Sequence, residues 1–512
     1  MKKNLYYFNW QLQANVFGVV VDDLTENLSD EIIFVSCKGS LLPCWSNLNG
    51  DLQKCQICKF NQKSAFNHGN LSKIKQLYID DYSNFSEVES EFLKCNLGNY
   101  LNVQDIKQLN YNNIAIGYGA LSTYISATRN LEPIIDNEFR NYFDKILKVE
   151  LFIKLSIDRI IKEFQPDVIS IFNGRIHDTR PVYETAINNN IELRGVETVV
   201  KSNLNYQRRV FKNVLPHNID FNTKSILDAW NNSNLNDLEK IEIARSFYEK
   251  RRNNEIAADS KIYTLNQKYG KLPENWNPNL INLVIFNSSE DEFASIGKDW
   301  DYKAIFKNQE EGIKYIINNI SDPNVHFYLR VHPNLNNIQY GYHKRLYELN
   351  SKFSNFTVIA SDSAISTYSL MDAADKIVVF GSSTGVEAAY AKKPVILLGG
   401  SYYYHLNVAY IPNNETELIE FIKQPLEPKP LLGVYQYGFY LMNIDSYSIP
   451  IKFNVEPINF IGKFFGYKFP HLKIFNSSIL YKLLILLLRA KNEILNIFFK
   501  KNLFQIPIKE NK

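Results

Sequence analysis

Cysteine is scarce in this 512-residue chain, which has five: Cys37, Cys44, Cys55, Cys58 and Cys95. So small and odd a number at this length argues against a disulfide-stapled scaffold and for reduced thiols. Long apolar runs are missing too. No stretch reaches the roughly 18 to 20 apolar residues that crossing a bilayer takes, and the run from Leu483 to Leu488 falls far short. At the N-terminus Asn9, Gln11, Gln13 and Asn15 interrupt any apolar core behind Lys2 and Lys3, so no secretory signal is read and a cytoplasmic location is expected. Excess charge is nearly absent at a formal +3, and it is unevenly placed. Residues 450–512 hold eleven Lys and Arg against three Asp and Glu, which leaves the rest slightly acidic. Nucleic-acid binding by the whole chain is therefore not indicated.

What is present is a core-forming composition, 45% hydrophobic and 14% aromatic, long enough for two to four domains. From Leu151 to Glu197 an amphipathic stretch (LFIKLSIDRIIKEF), an apolar run (DVISIF), a polar loop, a second helical stretch and another apolar start follow one another. This is the rhythm of a parallel α/β sheet. Apolar runs at Leu5 to Phe8 and Ile32 to Ser36 extend it backwards. The rhythm restarts with INLVIF (281–286), VHFYLRVHP (325–333), FTVIA (356–360), KIVVF (376–380) and PVILLG (394–399), separated by helical segments. The polar stretch Ala257 to Asn279, ending in LPENWNPN, reads as the linker. The expected architecture is α/β: two Rossmann-like doubly wound domains facing a cleft, with a C-terminal helical extension. Residues 1–270 form the first, acceptor domain; 271–449 the second, nucleotide-donor domain; 450–512 a basic amphipathic tail.

In open parallel sheets ligands sit beyond the carboxyl ends of the strands, so the loops there hold the candidate chemistry. The segment KIVVFGSSTGVEAAYAKKPVILLG (376–399) places a small-residue turn with Ser382, Ser383 and Thr384 between a strand and a helix, a setting that suits phosphate. A capping box, Thr384-x-x-Glu387, accounts for the same residues without a ligand. His332-Pro333 ends a strand, with Arg330 two residues earlier on the same face. The loop NSSEDEF (287–293) offers Glu290, Asp291 and Glu292 as candidate general bases for a sugar hydroxyl, against a second capping box in Ser289-x-x-Glu292. In the first domain FNGRIHDTRP (172–181) offers Arg175, His177 and Arg180 to a donor phosphate or an anionic acceptor, the alternative being an exposed, salt-bridged loop. Cys55-x-x-Cys58, with Cys44 upstream and His68 downstream, has zinc-ligand chemistry. A single CxxC is also what small buried thiols leave, and no metal or cofactor is assigned.

Over about residues 281–412 the chain resembles the nucleotide-binding half of GT-B glycosyltransferases of bacterial capsule and lipopolysaccharide assembly. These include the capsular sialyltransferases and Kdo transferases and, more distantly, the CDP-glycerol glycerophosphotransferases. The resemblance is carried by His332-Pro333 and, further on, Ser382-Ser383-Thr384, with Glu387 after them. NGR (173–175) and FKNVLPHN (211–218) are similar to N-terminal segments of capsule-synthesis proteins. The resemblance implies that the HP and SST loops hold the CMP, CDP or UDP part of a nucleotide sugar and that Glu387 meets the ribose; no metal is required if helix N-termini and basic side chains neutralise the leaving phosphate. The nucleotide sugar is then a substrate, the acceptor a growing, lipid-linked surface glycan. One departure stands out: the acidic-acidic-Gly motif that carries the sialyltransferase base has no counterpart, since Asp22-Asp23 is followed by Leu24.

Two other functions share this architecture: a nonhydrolysing UDP-sugar 2-epimerase and a non-catalytic polysaccharide-assembly subunit. In the tail, Lys482, Arg489, Glu493, Asn496 and Lys500 gather on one side of a helix drawn over residues 477–501. An interfacial helix at the inner-membrane surface and a helix packed back on the domains are both open readings.

Overall fold

A computed structural model describes residues 2–8, 30–52, 54–55, 58–59, 74–202, 205–258 and 261–451, with scattered positions between 19 and 26 and between 458 and 508. Within it the chain divides into two units. The first comprises Met1–Thr128, Pro133–Pro216 and Ser448–Lys509; the second Arg129–Glu132, His217–Tyr447 and Glu510–Lys512.

In the first unit the apolar runs become strands β1 (Lys3–Tyr7), β2 (Glu31–Ser36), β3 (Lys75–Tyr78), β4 (Val168–Phe172), β5 (Glu192–Ser202) and β6 (Asn205–Lys212). Their order is β6-β5-β4-β1-β2-β3, parallel from β5 to β3, with β6 antiparallel to β5. The two-residue strand Ile449–Pro450 closes the β6 edge. Every residue of β4 (VISIF) is buried, as a strand covered on both faces requires. Helices α1 (Ile116–Thr128), α2 (Asn137–Phe164) and α3 (Arg180–Asn188) pack in this unit. α2 is capped by Asp136, whose side chain accepts from the Phe139 amide, and it ends on Gln165 in the left-handed region at φ 47°.

In the second unit all five expected strands form: β7 (Ile281–Phe286), β8 (Val325–Arg330), β9 (Phe356–Ile359), β10 (Lys376–Val379) and β11 (Val395–Leu397). They are parallel throughout, in the order β11-β10-β7-β8-β9. The chain therefore reverses its direction of growth at β7 and β10, and the crevice beyond their carboxyl ends is the topological switch point. Among the helices of the unit are α4 (Ile219–Asn231), α5 (Asp237–Arg252), α6 (Gln309–Asn319), α7 (Gly341–Lys352), α8 (Thr367–Ala373), α9 (Thr384–Tyr390) and α10 (Leu432–Met442).

The division falls at Pro216/His217, not near residue 270. α4 and α5 belong with the second sheet because Ile226, Phe247 and Tyr248 enter one buried cluster with Val284, Tyr328, Val379 and Val434. Each such side chain contributes about 1.5–3 kcal/mol on burial. The polar stretch read as a linker is a strap held on this unit. The Lys268 amide donates to the Ala364 carbonyl and the Ser366 amide to the Lys271 carbonyl. Trp276 packs on Tyr328 with ring centroids 4.6 Å apart.

The amphipathic helix expected over 477–501 lies outside the described residues, as does His68. Short antiparallel pairs join 458–459 to 473–474 and 463–464 to 467–468. Among the described residues no helix is long and apolar enough to cross a membrane.

Candidate functional site

At the switch point of the second unit lies a cavity of about 380 Å³, within the range of roughly 300–1,000 Å³ usual for small-molecule sites. Its floor comes from the strand ends: Phe286 and Asn287 after β7, Arg330 and His332 after β8, Ser383 and Thr384 after β10. Glu292, Glu387, Tyr368 and Arg251 form its walls, and the strap adds Lys261, Tyr263 and Thr264.

Arg330 is 2% exposed. Its guanidinium donates to the carbonyls of Ala360 and Ser363, while its Nε is buried with no protein partner. Among the described residues no carboxylate pairs with it, and burial holds its pKa down at about 10. A buried cation so placed is costly unless an anion meets it.

His332 caps the short turn Pro333–Leu335: its Nδ1 accepts from the Asn334 amide at 3.1 Å. Its own amide donates to Asn287 Oδ1 at 2.8 Å, tying the end of β8 to the end of β7. Burial pushes its pKa down to about 4, opposed by Asp291 and reinforced by Arg129 and Arg330. With Nδ1 committed as acceptor, the neutral ring carries its proton on Nε2. His332 is thus a hydrogen-bond donor to the cavity, and the Tyr263 ring meets it edge-on at 5.2 Å.

The turn after β10 depends on Gly381, at φ +76°, where a Cβ would lie 2.6 Å from the Gly400 carbonyl oxygen. Ser382 is turned inward: its hydroxyl bonds Thr384 and its carbonyl accepts from the Tyr403 hydroxyl. Of the three hydroxyl residues, Ser383 and Thr384 line the cavity and Ser382 does not. Neither capping box forms. Ser383 is the N-cap of α9 and makes no side-chain cap bond, and neither does Ser289 at its three-residue helix. Glu387 instead pairs with Arg251 at 2.7 Å and accepts from the Tyr368 hydroxyl at 2.7 Å. Burial alone lowers the Arg251 pKa, but Glu387 outweighs it and holds the guanidinium above its ordinary range.

The three acids of the 290–292 loop separate. Asp291 is locked by Arg129 and Ser289, and Glu290 accepts from the Gln309 amide. Glu292 alone of the three lines the cavity, exposed, and Asn334 donates to it at 3.0 Å.

The loop after β4 departs from expectation in two of its residues. His177 is fully buried, Nδ1 against the Thr123 hydroxyl at 2.9 Å and Nε2 against the Pro43 carbonyl at 2.8 Å. Arg180, 5% exposed, pairs with Glu184 one helical turn on. Both ring nitrogens and the Arg180 charge serve the interior of the unit, so neither residue is positioned to take a ligand. Arg175 stays half-buried and bonds Ser126. Beside it stands Glu197, unnoticed in the sequence. Burial raises its pKa to about 7, against a hydrogen bond from Asn173 and the charge of Arg175.

Residues 280–435 match the family described as capsule polysaccharide biosynthesis proteins. The matched segment runs from β7 into α10 and contains Glu292, Arg330, His332, Ser383, Thr384 and Glu387; Arg251 and the strap lie before it. No curated protein matches the chain in sequence. Among solved structures, KpsC of Thermosulfurimonas dismutans, a beta Kdo 2,4 transferase, is similar at 13% identity over 53% of this chain and 79% of that one, with a TM-score of 0.34. The calicheamicin glycosyltransferase CalG4 is similar at 10% identity over 87% and 95%, with a TM-score of 0.26. For the UDP-GlcNAc 2-epimerase of Neisseria meningitidis the figures are 14%, 87% and 95%, and 0.22.

Proposed function

We propose that the chain is a glycosyltransferase of capsule polysaccharide assembly, and that the cavity of the second unit holds the nucleotide of a nucleotide-sugar donor. The observation that carries this reading is Arg330: a buried guanidinium facing a ligand-sized cavity, with no carboxylate partner among the described residues. A donor phosphate supplies the missing anion, with His332 Nε2–H and the hydroxyls of Ser383 and Thr384 as further donors. Glu387, held by Arg251 and Tyr368, retains lone pairs for a ribose hydroxyl.

Glu292 is the general base. It takes the proton of an acceptor hydroxyl as that oxygen bonds the anomeric carbon and the sugar–phosphate bond breaks, and the leaving phosphate keeps the electron pair. The donors at the cavity floor stabilise the charge that collects there, without need of a metal. The acceptor is a growing, lipid-linked glycan, and the basic segment 450–512 favours work at an anionic membrane surface.

Thermal-shift titration with CMP, CDP and UDP tests the reading. A nucleotide that binds only the folded chain raises its melting temperature, and the shift disappears in Arg330→Met and Ser383→Ala. Lack of any shift with all three counts against a nucleotide site. NMR of UDP-GlcNAc incubated without acceptor separates transfer from 2-epimerisation, since only the epimerase changes the sugar.

A further inference from the structure

Four of the chain's five cysteines surround one point of the first unit. A small cavity of about 20 Å³ is lined by Cys37, Cys44, Cys55 and Cys58, together with Lys54 and Lys59. That volume accommodates about one water-sized particle. Cys37 follows the last residue of β2, Cys44 sits in the next turn, and Cys55-x-x-Cys58 arrives from the loop beyond, giving the spacing Cys-x6-Cys-x10-Cys-x2-Cys. None of the four is in a disulfide and all are partly shielded, whereas Cys95 lies outside the cavity lining and is exposed.

The surroundings are those of a thiolate–metal site. Asn47 Nδ2 donates to the Cys55 sulfur at 3.2 Å, and the Gly39 amide donates to Cys37. Hydrogen bonds from outside the ligand set orient metal-bound sulfurs in this way. Two lysines on the lining offset the net double negative charge that a dication with four thiolates carries. Among the described residues no three His, Cys, Asp or Glu already stand in a metal-holding arrangement. Occupancy therefore requires the thiols to close over the cavity.

We propose that Cys37, Cys44, Cys55 and Cys58 bind one structural zinc ion as a tetrahedral four-thiolate site. Binding releases one proton per thiol and forms four zinc–sulfur bonds, with no change of oxidation state. The fourth ligand is Cys37, in place of the His68 that the spacing alone suggests. The ion pins the loop after β2 to the loop after β4, where the Trp45 amide donates to Asp178 and the Pro43 carbonyl oxygen accepts from His177 Nε2. It thereby fixes the carboxyl edge of the first sheet, where Arg175 and Glu197 stand. The assignment is independent of the nucleotide site and stands or falls without it.

The test uses the full chain, expressed with zinc supplied and purified without chelator. Elemental analysis is expected to find about one zinc per chain. Ellman's reagent should find one thiol, Cys95, reacting at once, and the other four only after a chelator is added. Cys55→Ser and Cys58→Ser should lose the metal, and Cys95→Ser should keep it. Because the Ser variants can fail to fold, the wild-type chain is also loaded with cobalt, whose intense visible bands report tetrahedral thiolate ligation. Absence of both zinc and a cobalt spectrum overturns the proposal. So does iron with a sulfide-to-iron absorption, which marks a cluster, or a thiol count two short that reductant restores, which marks a disulfide.

Discussion

Asp291 accepts two hydrogen bonds from one guanidinium, Arg129 Nε at 2.8 Å and Nη2 at 3.1 Å. Its side chain is 8% exposed, and the pair leaves the adjacent Glu292 as the acid of the 290–292 loop that lines the cavity. Glu292→Gln is expected to cut transfer at least a hundredfold, in line with the roughly 10²–10⁴ that a general base supplies, and to leave nucleotide affinity within about twofold. Steady-state transfer and nucleotide titration on one preparation give both values. If Glu197→Gln abolishes transfer while Glu292→Gln does not, the base lies in the first unit.

Arg330→Met removes a buried charge that has no carboxylate partner among the described residues. Nucleotide affinity should fall by at least tenfold, since hydrogen bonds to charged groups contribute about 1.5–3 kcal/mol. Calorimetric titration checks the loss. Equal affinity in the two proteins would remove Arg330 from the phosphate site.

Glu387→Gln acts in the opposite sense on the unliganded protein. It strands Arg251, and breaking one side of a buried pair costs about 3 kcal/mol or more. Urea unfolding should show that loss, and the double substitution Arg251→Met with Glu387→Leu should recover much of it. Additive losses in the double variant would mean that the pair is not coupled.

Glu150 offers a pH signature. It is fully buried, and burial raises its pKa well above the usual carboxylate range, with Arg180 opposing. An acid whose folded pKa is raised lowers stability progressively as pH climbs from the unfolded value, about 4.3, toward the folded one. Glu150→Gln should therefore raise the melting temperature at pH 8 and change it little at pH 4. A gain independent of pH would contradict the assignment.

His177→Ala should cost about 2–3 kcal/mol, because the Thr123 hydroxyl and the Pro43 carbonyl lose their partner in the interior. The nucleotide-induced thermal shift should stay at its wild-type size. A lost shift with normal stability would return His177 to a binding role.

The strands of the second unit were legible because a fully buried parallel strand is a run of β-branched and apolar residues bounded by turns, and INLVIF and KIVVF are that pattern undiluted. The unit boundary was not. An amphipathic helix such as Asp237–Arg252 looks the same whichever core its apolar side meets. Arg251 escaped notice for a related reason, since it sits in the basic last turn of that helix, where cations are expected on dipole grounds alone. His332, Ser383 and Glu387 are candidates in the sequence because loops after parallel strands are where ligands bind, and all three line one cavity. The competing capping boxes, Thr384-x-x-Glu387 and Ser289-x-x-Glu292, are decided only by side-chain direction, which spacing does not encode. His177 and Arg180 misled because a polar loop reads as exposed, and burial is a property of what packs over it.

The strap over residues 261–276 has a consequence for how such a chain diversifies. It meets the cavity of the second unit through Lys261, Tyr263 and Thr264, and it is tied to the 364–369 segment by bonds such as Lys268 to Ala364 and Gly270 to the Ser369 hydroxyl. Its far end is anchored in the core by Trp276 on Tyr328, whereas Lys261, Tyr263 and Thr264 belong to the end that lines the cavity. On the proposed reading, changes at Lys261, Tyr263 and Thr264 alter the wall of the cavity that meets the donor and leave the strand-end floor of Arg330, His332, Ser383 and Thr384 as it is.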